Sequence, residues 1–346
     1  MRRCYCLEGG HIELSSNWDA VLEWADLCLL PYVAVSTSPA RVATIVCHYG
    51  DPPPTPTGTG TAISIHMGRV GLGYDANGQG RMVVGPDGTV YRINRTEIEV
   101  FYRERDEGTL RDPTRLCREV LYNSLGSSWY ELHASAVSHA GKAIVFLGPK
   151  GAGKSTILCH LLSSKDREPT FDFLSNDRVW IDLGKSPITA LGSPMPICIG
   201  YGTMASIPEL STQLSLYRDH FHLLLGQMDL KVHEYSAQEF SALFGRSISR
   251  HARISAIVAL RPGASNLLMP VEDEHTKSKI LAQSIRDDVD AYPNWMNIGM
   301  NCSQRSAALC GPISVPPPLY IMEFNPHQGA ITRCDEAVIN LIGSVS

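Results

Sequence analysis

The chain has 346 residues, a net charge of -5 and a pI near 6.2, with 44% hydrophobic and 19% charged residues. That composition is globular, and mild acidity with no basic run excludes a built-in pull toward nucleic acid. The longest apolar runs, such as 143–147 and 157–162, are too short to cross a bilayer.

The length implies two domains. Met1-Arg2-Arg3 is basic, but residues 4–14 form no clean apolar core, so no signal peptide is read and a cytoplasmic location is expected. The ten cysteines include no C-x-x-C pair. Without a secretory signal they are expected to be reduced, small, buried residues. Cys4 and Cys6 fit alternate positions of one strand, and with His11 they lack zinc-finger spacing.

Residues 1–111 are expected to form a smaller β-rich front domain with no evident chemistry. An amphipathic helix is predicted over Asn17 to Leu29, with Asn17 as its cap. Strands are predicted at Val33–Val35, Val42–His48, Ala62–His66 and Arg81–Val84. The Pro- and Gly-dense stretch 51–60 reads as a surface loop. Gly85-Pro-Asp-Gly, between Arg81-Met-Val-Val and Thr89-Val-Tyr-Arg-Ile, signals a hairpin.

Residues 112–346 are expected to form the second, α/β domain. A helix is predicted from Arg115 to Leu125, with Asp112 as cap, Pro113 in its first turn and Gly126 ending it. A strand follows over Leu132–His139, then a buried strand over Ala143–Leu147. Later elements are strands at Phe171–Leu174, Val179–Ile181 and Ile254–Leu260, an amphipathic helix over Ala237–Phe244, a turn-rich stretch at 309–319, and a last strand at Tyr320–Phe324.

The segment Gly148-Pro149-Lys150-Gly151-Ala152-Gly153-Lys154-Ser155-Thr156 fits G-x-x-x-x-G-K-[ST]. An apolar strand ends at its first glycine and a helical run begins at Lys154, the context this chemistry needs. Glycines let successive backbone N–H groups close on an anion, and the helix N-terminus adds partial positive charge. Gly148, Lys150, Gly151, Ala152, Gly153, Lys154, Ser155 and Thr156 are therefore the candidate nucleotide-binding residues. Lys154 would reach the β and γ phosphates of ATP, and Ser155 would ligate Mg²⁺. Asp177, between two predicted strands, is placed to meet that metal or an incoming hydroxyl; an ordinary turn aspartate is the competing reading.

Leu132-His-Ala-Ser-Ala-Val, the phosphate-loop segment and Leu174-Ser-Asn-Asp-Arg-Val, in this order and spacing, resemble the HPr serine kinase/phosphorylase family, whose nucleotide core is similar to phosphoenolpyruvate carboxykinase. The resemblance covers residues 130 to about 185 and not the front domain. It implies an HPr-kinase-like P-loop fold for the second domain. Diverged members of that kind occur as tailoring kinases in natural-product clusters, including those for lasso peptides. Carried across, Lys154 and Ser155 match the phosphate and magnesium positions. Asp177 matches the second Asp of the family pair, giving Ser155 and Asp177 as metal ligands. Asn176 stands where the first Asp, the acid/base, would be, so Asp177 is left as the base or catalysis rests on positioning. His133 matches the family histidine beside the carboxylate; a structural strand histidine is the alternative.

No carboxylate lies between Asp182 and Glu209, so a second metal ligand from that stretch has no candidate except Asp182 itself. Lys231 and Arg253 are candidate phosphate contacts, against the simpler reading of solvated surface. Arg261, at a strand end, is a candidate transition-state cation. The expected activity is ATP- and magnesium-dependent phosphate transfer to a hydroxyl on a peptide, a protein serine or a small metabolite. An NTPase or switch module acting on a partner protein is the alternative. HPr kinases form hexamers, so the resemblance admits a homo-oligomer.

Overall fold

In the computed structural model, the described residues are 1–8, 10–35, 43–65, 69–75, 80–94, 96–163, 168–214, 231–263, 267–285, 317–324 and 337–341. Most of the stretch 309–319 lies outside them, as do the edge positions 42 and 66 of two predicted strands and three of the cysteines, 302, 310 and 334. The fold is mixed α/β, mostly strands, and its described residues fall into two compact units that divide between Ser128 and Trp129.

The first unit carries a sheet of nine described strands: β1 (Arg2–Leu7), β2 (Gly10–Ser16), β3 (Ala34–Val35), β4 (Ala43–Tyr49), β5 (Thr61–Ile65), β6 (Arg69–Asp75), β7 (Arg81–Val84), β8 (Val90–Asn94) and β9 (Glu97–Tyr102). Their spatial order is β3-β1-β2-β4-β9-β8-β7-β6-β5. Pairs β2–β4 and β4–β9 are parallel, the rest antiparallel. Alternation sets the buried face: Ala43, Ile45, Cys47 and Tyr49 of β4 point inward, as do Ile98, Val100 and Tyr102 of β9. Helices α1 (Asp19–Leu29) and α2 (Glu107–Ser124) pack on each other and on the sheet through β2. The expected hairpin is present between β7 and β8, with Gly88 at φ 80° and the Gly85 N–H donating to the Thr89 carbonyl at 2.8 Å.

In this unit the predicted starts of both helices need correction. Asn17 does not cap α1; its side chain exchanges two hydrogen bonds with the Tyr49 backbone, at 3.2 and 2.9 Å, and Trp18 takes the cap position without a side-chain bond. Helix α2 begins earlier than expected, capped by Asp106 in a reciprocal pair with Thr109, an arrangement worth about 1 kcal/mol. Pro113 therefore lies inside the helix, where a proline typically costs about 3 kcal/mol. Its missing N–H leaves the Thr109 carbonyl unpaired within the helix, and the Tyr49 hydroxyl donates to that carbonyl at 2.6 Å. Asp112, freed from capping, accepts from the hydroxyls of Tyr91 and Tyr102. Because α2 is fastened to β4, β8 and β9 in this way, the unit ends after it and not at residue 111.

The second unit holds β10 (Trp129–Leu132), β11 (Ala134–His139), β12 (Lys142–Leu147), α3 (Lys154–Ser163), β13 (Asp172–Ser175), β14 (Val179–Asp182), β15 (Thr189–Gly192), β16 (Ile197–Gly200), α4 (Tyr201–Ser206), α5 (Pro208–Leu214), β17 (Lys231–Tyr235), α6 (Ala237–Phe244), β18 (His251–Pro262), β19 (Leu268–Pro270), α7 (Glu274–Ser284) and β20 (Leu319–Phe324). The main sheet runs β10-β14-β15-β18-β12-β11-β13, and β20 pairs with the far half of β18 and with β19. β12 is parallel to β18, which is parallel to β20. That central position explains why Ala143–Leu147 is an unbroken apolar run. Leu132, Ala134, Val145, Leu147, Leu174 and Val179 share one core cluster. Ser236 and Glu239 form a capping box on α6, and Gly245 closes it at φ 62°.

The strand expected over 132–139 is broken at His133. Its N–H donates to the Ser284 carbonyl at the end of α7, at 3.0 Å, and so leaves the ladder. The chain pairs with β14 before the break and with β12 and β13 after it.

Candidate functional site

The strand and helix expected on either side of residues 148–153 are present as β12 and α3. Between them the backbone takes positive φ at Gly148 (149°), Gly151 (82°) and Gly153 (93°). A Cβ on Gly148 would sit 2.9 Å from the Leu260 carbonyl oxygen, so only glycine fits there. The first helix turn contains no acidic residue that would compete with an anion.

Lys154 folds back over this loop. It is only 7% exposed, and its Nζ donates to the carbonyls of Gly148 at 2.7 Å and Pro149 at 3.1 Å. Burial holds its pKa below the ordinary lysine value, and the Asp177 charge opposes that shift. A lysine ammonium is thus kept at the loop with its third proton available for hydrogen bonding.

The end of β13 faces the start of α3. Asn176, 3% exposed, accepts through Oδ1 from the Ser155 hydroxyl at 3.0 Å and from the buried Ser135 hydroxyl at 2.7 Å. The metal pairing expected from sequence joined Ser155 to Asp177; in the fold the residue against Ser155 is Asn176. The Oδ1 of Asp177 lies 3.3 Å from His133 Nε2. Asp177 has φ 68°, one of three described non-glycine residues in the left-handed region. Aspartate tolerates that conformation better than most residues do. Both partners stay partly open, with side chains 39% and 33% exposed.

Lys150 is exposed and Ala152 buried. The Thr156 hydroxyl faces away from the loop and bonds Thr203 on α4 at 2.8 Å. Arg253 pairs in register with Lys142, at the opposite end of β12 from the loop. Asp182 ends β14 away from Asp177, where it accepts from the Gly184 N–H and pairs with Lys185. Lys231 begins β17, in a separate two-stranded sheet. Arg253 and Asp182 therefore lie apart from the group around residues 148–155. Arg261, at the end of β18, shares a cavity with His133 and Gly148.

Two features had no assigned role in the sequence reading. Ser135 sits unremarked in the strand motif. The Arg178 guanidinium and the Glu131 carboxylate form a buried pair, and Trp180 Nε1 donates to the other Glu131 oxygen at 2.8 Å. A glutamate inside the otherwise apolar β10 and an arginine immediately before β14 are the signal that could have found this pair. It pins β10 to β14 one residue from Asp177 and two from His133.

The chemistry of the loop fits a polyphosphate: glycine backbone that can turn its amides inward, a buried ammonium and a helix mouth. Among the described residues, no group of three or more His, Cys, Asp or Glu side chains could hold a metal ion. Magnesium characteristically keeps waters and phosphate oxygens and takes few protein ligands, so Ser155, Asn176 and the adjacent Asp177 suit it only together with a phosphate.

No protein-family model matches the chain, and no curated protein matches it. Among solved structures it is similar to the Hpr(Ser) kinase/phosphatase from Coxiella burnetii, at 7% identity and a TM-score of 0.35, covering 62% of this chain and 91% of that one. A likeness at that score supports nothing further. No helix among the described residues is long and apolar enough to cross a membrane.

Proposed function

We propose that the second unit is an ATP-dependent kinase of HPr-kinase-like type that phosphorylates an alcohol. Backbone amides of 150–155 and the Lys154 ammonium bind the phosphates. Magnesium bound with the nucleotide would be held by Ser155 and Asn176, with Asp177 adjacent, and would neutralise phosphate charge. The acceptor oxygen forms a bond to the γ phosphorus as the bond from that phosphorus to the bridging oxygen breaks, and ADP leaves. The acceptor proton passes to the Asp177 carboxylate, which His133 orients. The acceptor is a serine hydroxyl of a peptide or protein, or a hydroxyl of a small metabolite.

The observation that carries this reading is the pairing of Asp177 with His133 beside a glycine loop that holds a buried lysine. The test is incubation with γ-labelled ATP and magnesium, with and without serine peptides and small alcohols. Label transfer that depends on an added acceptor is expected. Label appearing only as inorganic phosphate would overturn the kinase assignment in favour of an NTPase.

A further inference from the structure

A cavity of about 310 Å³ opens beside the loop, at the ends of the parallel strands β12 and β18. Crevices at the C-terminal ends of parallel strands are where α/β sheets bind ligands, and this volume is at the lower end of small-molecule pockets. Its floor is apolar, formed by Leu147, Ala259 and Leu260, and its rim is polar, with His133, Arg261 and Gln283.

Three relations define what it would take. It touches the loop only at Gly148 and Pro149 and omits residues 150–156, whose amides and side chains serve the phosphates. It includes His133, the partner of Asp177, so a molecule in it lies against the residue that orients the proposed base. Its cation, Arg261, is exposed and lines the cavity. Glu323 is its neighbour in register on β20, but the Glu323 side chain lies over Gly263, where a Cβ would come within 2.9 Å of its carbons.

We infer that this cavity is the acceptor site, and that the acceptor is a small alcohol bearing an anionic group. The anion sits on the Arg261 guanidinium, a fork suited to carboxylate or phosphate, and the hydroxyl sits at His133 and Asp177. A cavity of this size suits a whole small metabolite. The assignment of the hydroxyl end rests on the kinase reading; the anion end does not.

The experiment is ligand-observed NMR on the full chain without nucleotide, using glycerate, glycerol 3-phosphate and glycerol. Glycerate or glycerol 3-phosphate should bind and glycerol should not, which also separates carboxylate from phosphate preference. Arg261→Gln should weaken that binding about tenfold or more, as expected for losing a charged fork. Ile280→Trp, which fills the cavity without altering charge, should abolish it. ATP affinity, measured by calorimetry, should be unchanged in Arg261→Gln. Equal binding of glycerol, no binding by any of the three, or full binding in Arg261→Gln would overturn the inference. Loss of ATP affinity in that variant would give the cavity to the nucleotide instead. A wild-type protein that binds glycerate but no ATP would sink the kinase reading and leave the anion site standing.

Discussion

The Asp177 carboxylate lies 3.3 Å from the His133 imidazole, and neither residue belongs to a strand. Each sits at an interruption: His133 where β10 gives way to β11, Asp177 in the turn between β13 and β14. Two buried networks hold the interruptions in place, the Asn176 hydroxyl contacts on one side and the Glu131–Arg178 pair on the other. The pair is thus presented by the sheet at the edge of the loop.

Asp177 has a chemical role and a conformational one, and two substitutions separate them. Asp177→Asn should cut phosphate transfer roughly 10²-fold or more through loss of a positioned base, with ATP affinity little changed. Asp177→Gly should be equally inactive yet at least as stable as wild type, because φ 68° suits glycine. Asp177→Ala should lose about 1 kcal/mol in denaturant unfolding from left-handed strain. Normal turnover in Asp177→Asn would remove the residue from the mechanism.

Asn176 is the departure from the acid pair of HPr kinases. Its Oδ1 serves two hydroxyls at once, so Asn176→Ala should destabilise the protein by about 1–3 kcal/mol through unsatisfied buried groups. Asn176→Asp keeps both acceptor contacts and adds a charge. It should lower the magnesium concentration at half-maximal activity; an unchanged magnesium titration would show that this position does not face the metal.

Lys154 predicts a pH dependence. Burial favours its neutral form, so its pKa in the free protein lies below the ordinary value of 10.5. A bound anion favours the ammonium and raises that pKa. Nucleotide affinity is therefore full below the lowered value and falls as pH rises through it, on the acid side of 10.5. In the free protein the charged lysine costs folding stability below the lowered value, and the cost fades as pH rises toward 10.5. Calorimetric titration of ATP from neutral to alkaline pH reads the first effect, and Lys154→Ala should abolish binding and turnover.

The Glu131–Arg178 pair should behave as a buried ion pair does. Glu131→Leu or Arg178→Met alone should cost about 3–5 kcal/mol by stranding a buried charge, while the two together should recover much of that loss. A denaturant double-mutant cycle gives the coupling. Additive effects would mean that the two charges do not depend on each other.

Strand patterns in this chain were readable where one face alone is buried or the whole strand is: Arg81–Val84, Ala143–Leu147 and Ile254–Leu260 each lie within an observed strand. The glycine loop was readable because its turn residues admit few substitutes. The starts of α3 and α6 were readable as well, but those of α1 and α2 were not, because there the deciding interactions are tertiary. Asn17 is drawn from capping by the Tyr49 backbone, and Pro113 is tolerated inside α2 because a tyrosine sixty-four positions earlier takes the orphaned carbonyl. For the same reason sequence could nominate Asn176 and Asp177 together but not say which meets Ser155. Which of two adjacent turn residues meets Ser155 is set by the folded backbone, and there it is Asn176.

A crystal structure with magnesium and a non-hydrolysable ATP analogue tests the central claim most directly. The account predicts the triphosphate along residues 150–155, its terminal phosphate on Lys154, and the Asp177–His133 pair facing that phosphorus. An analogue bound elsewhere, or Asp177 directed away from the terminal phosphate, would contradict it.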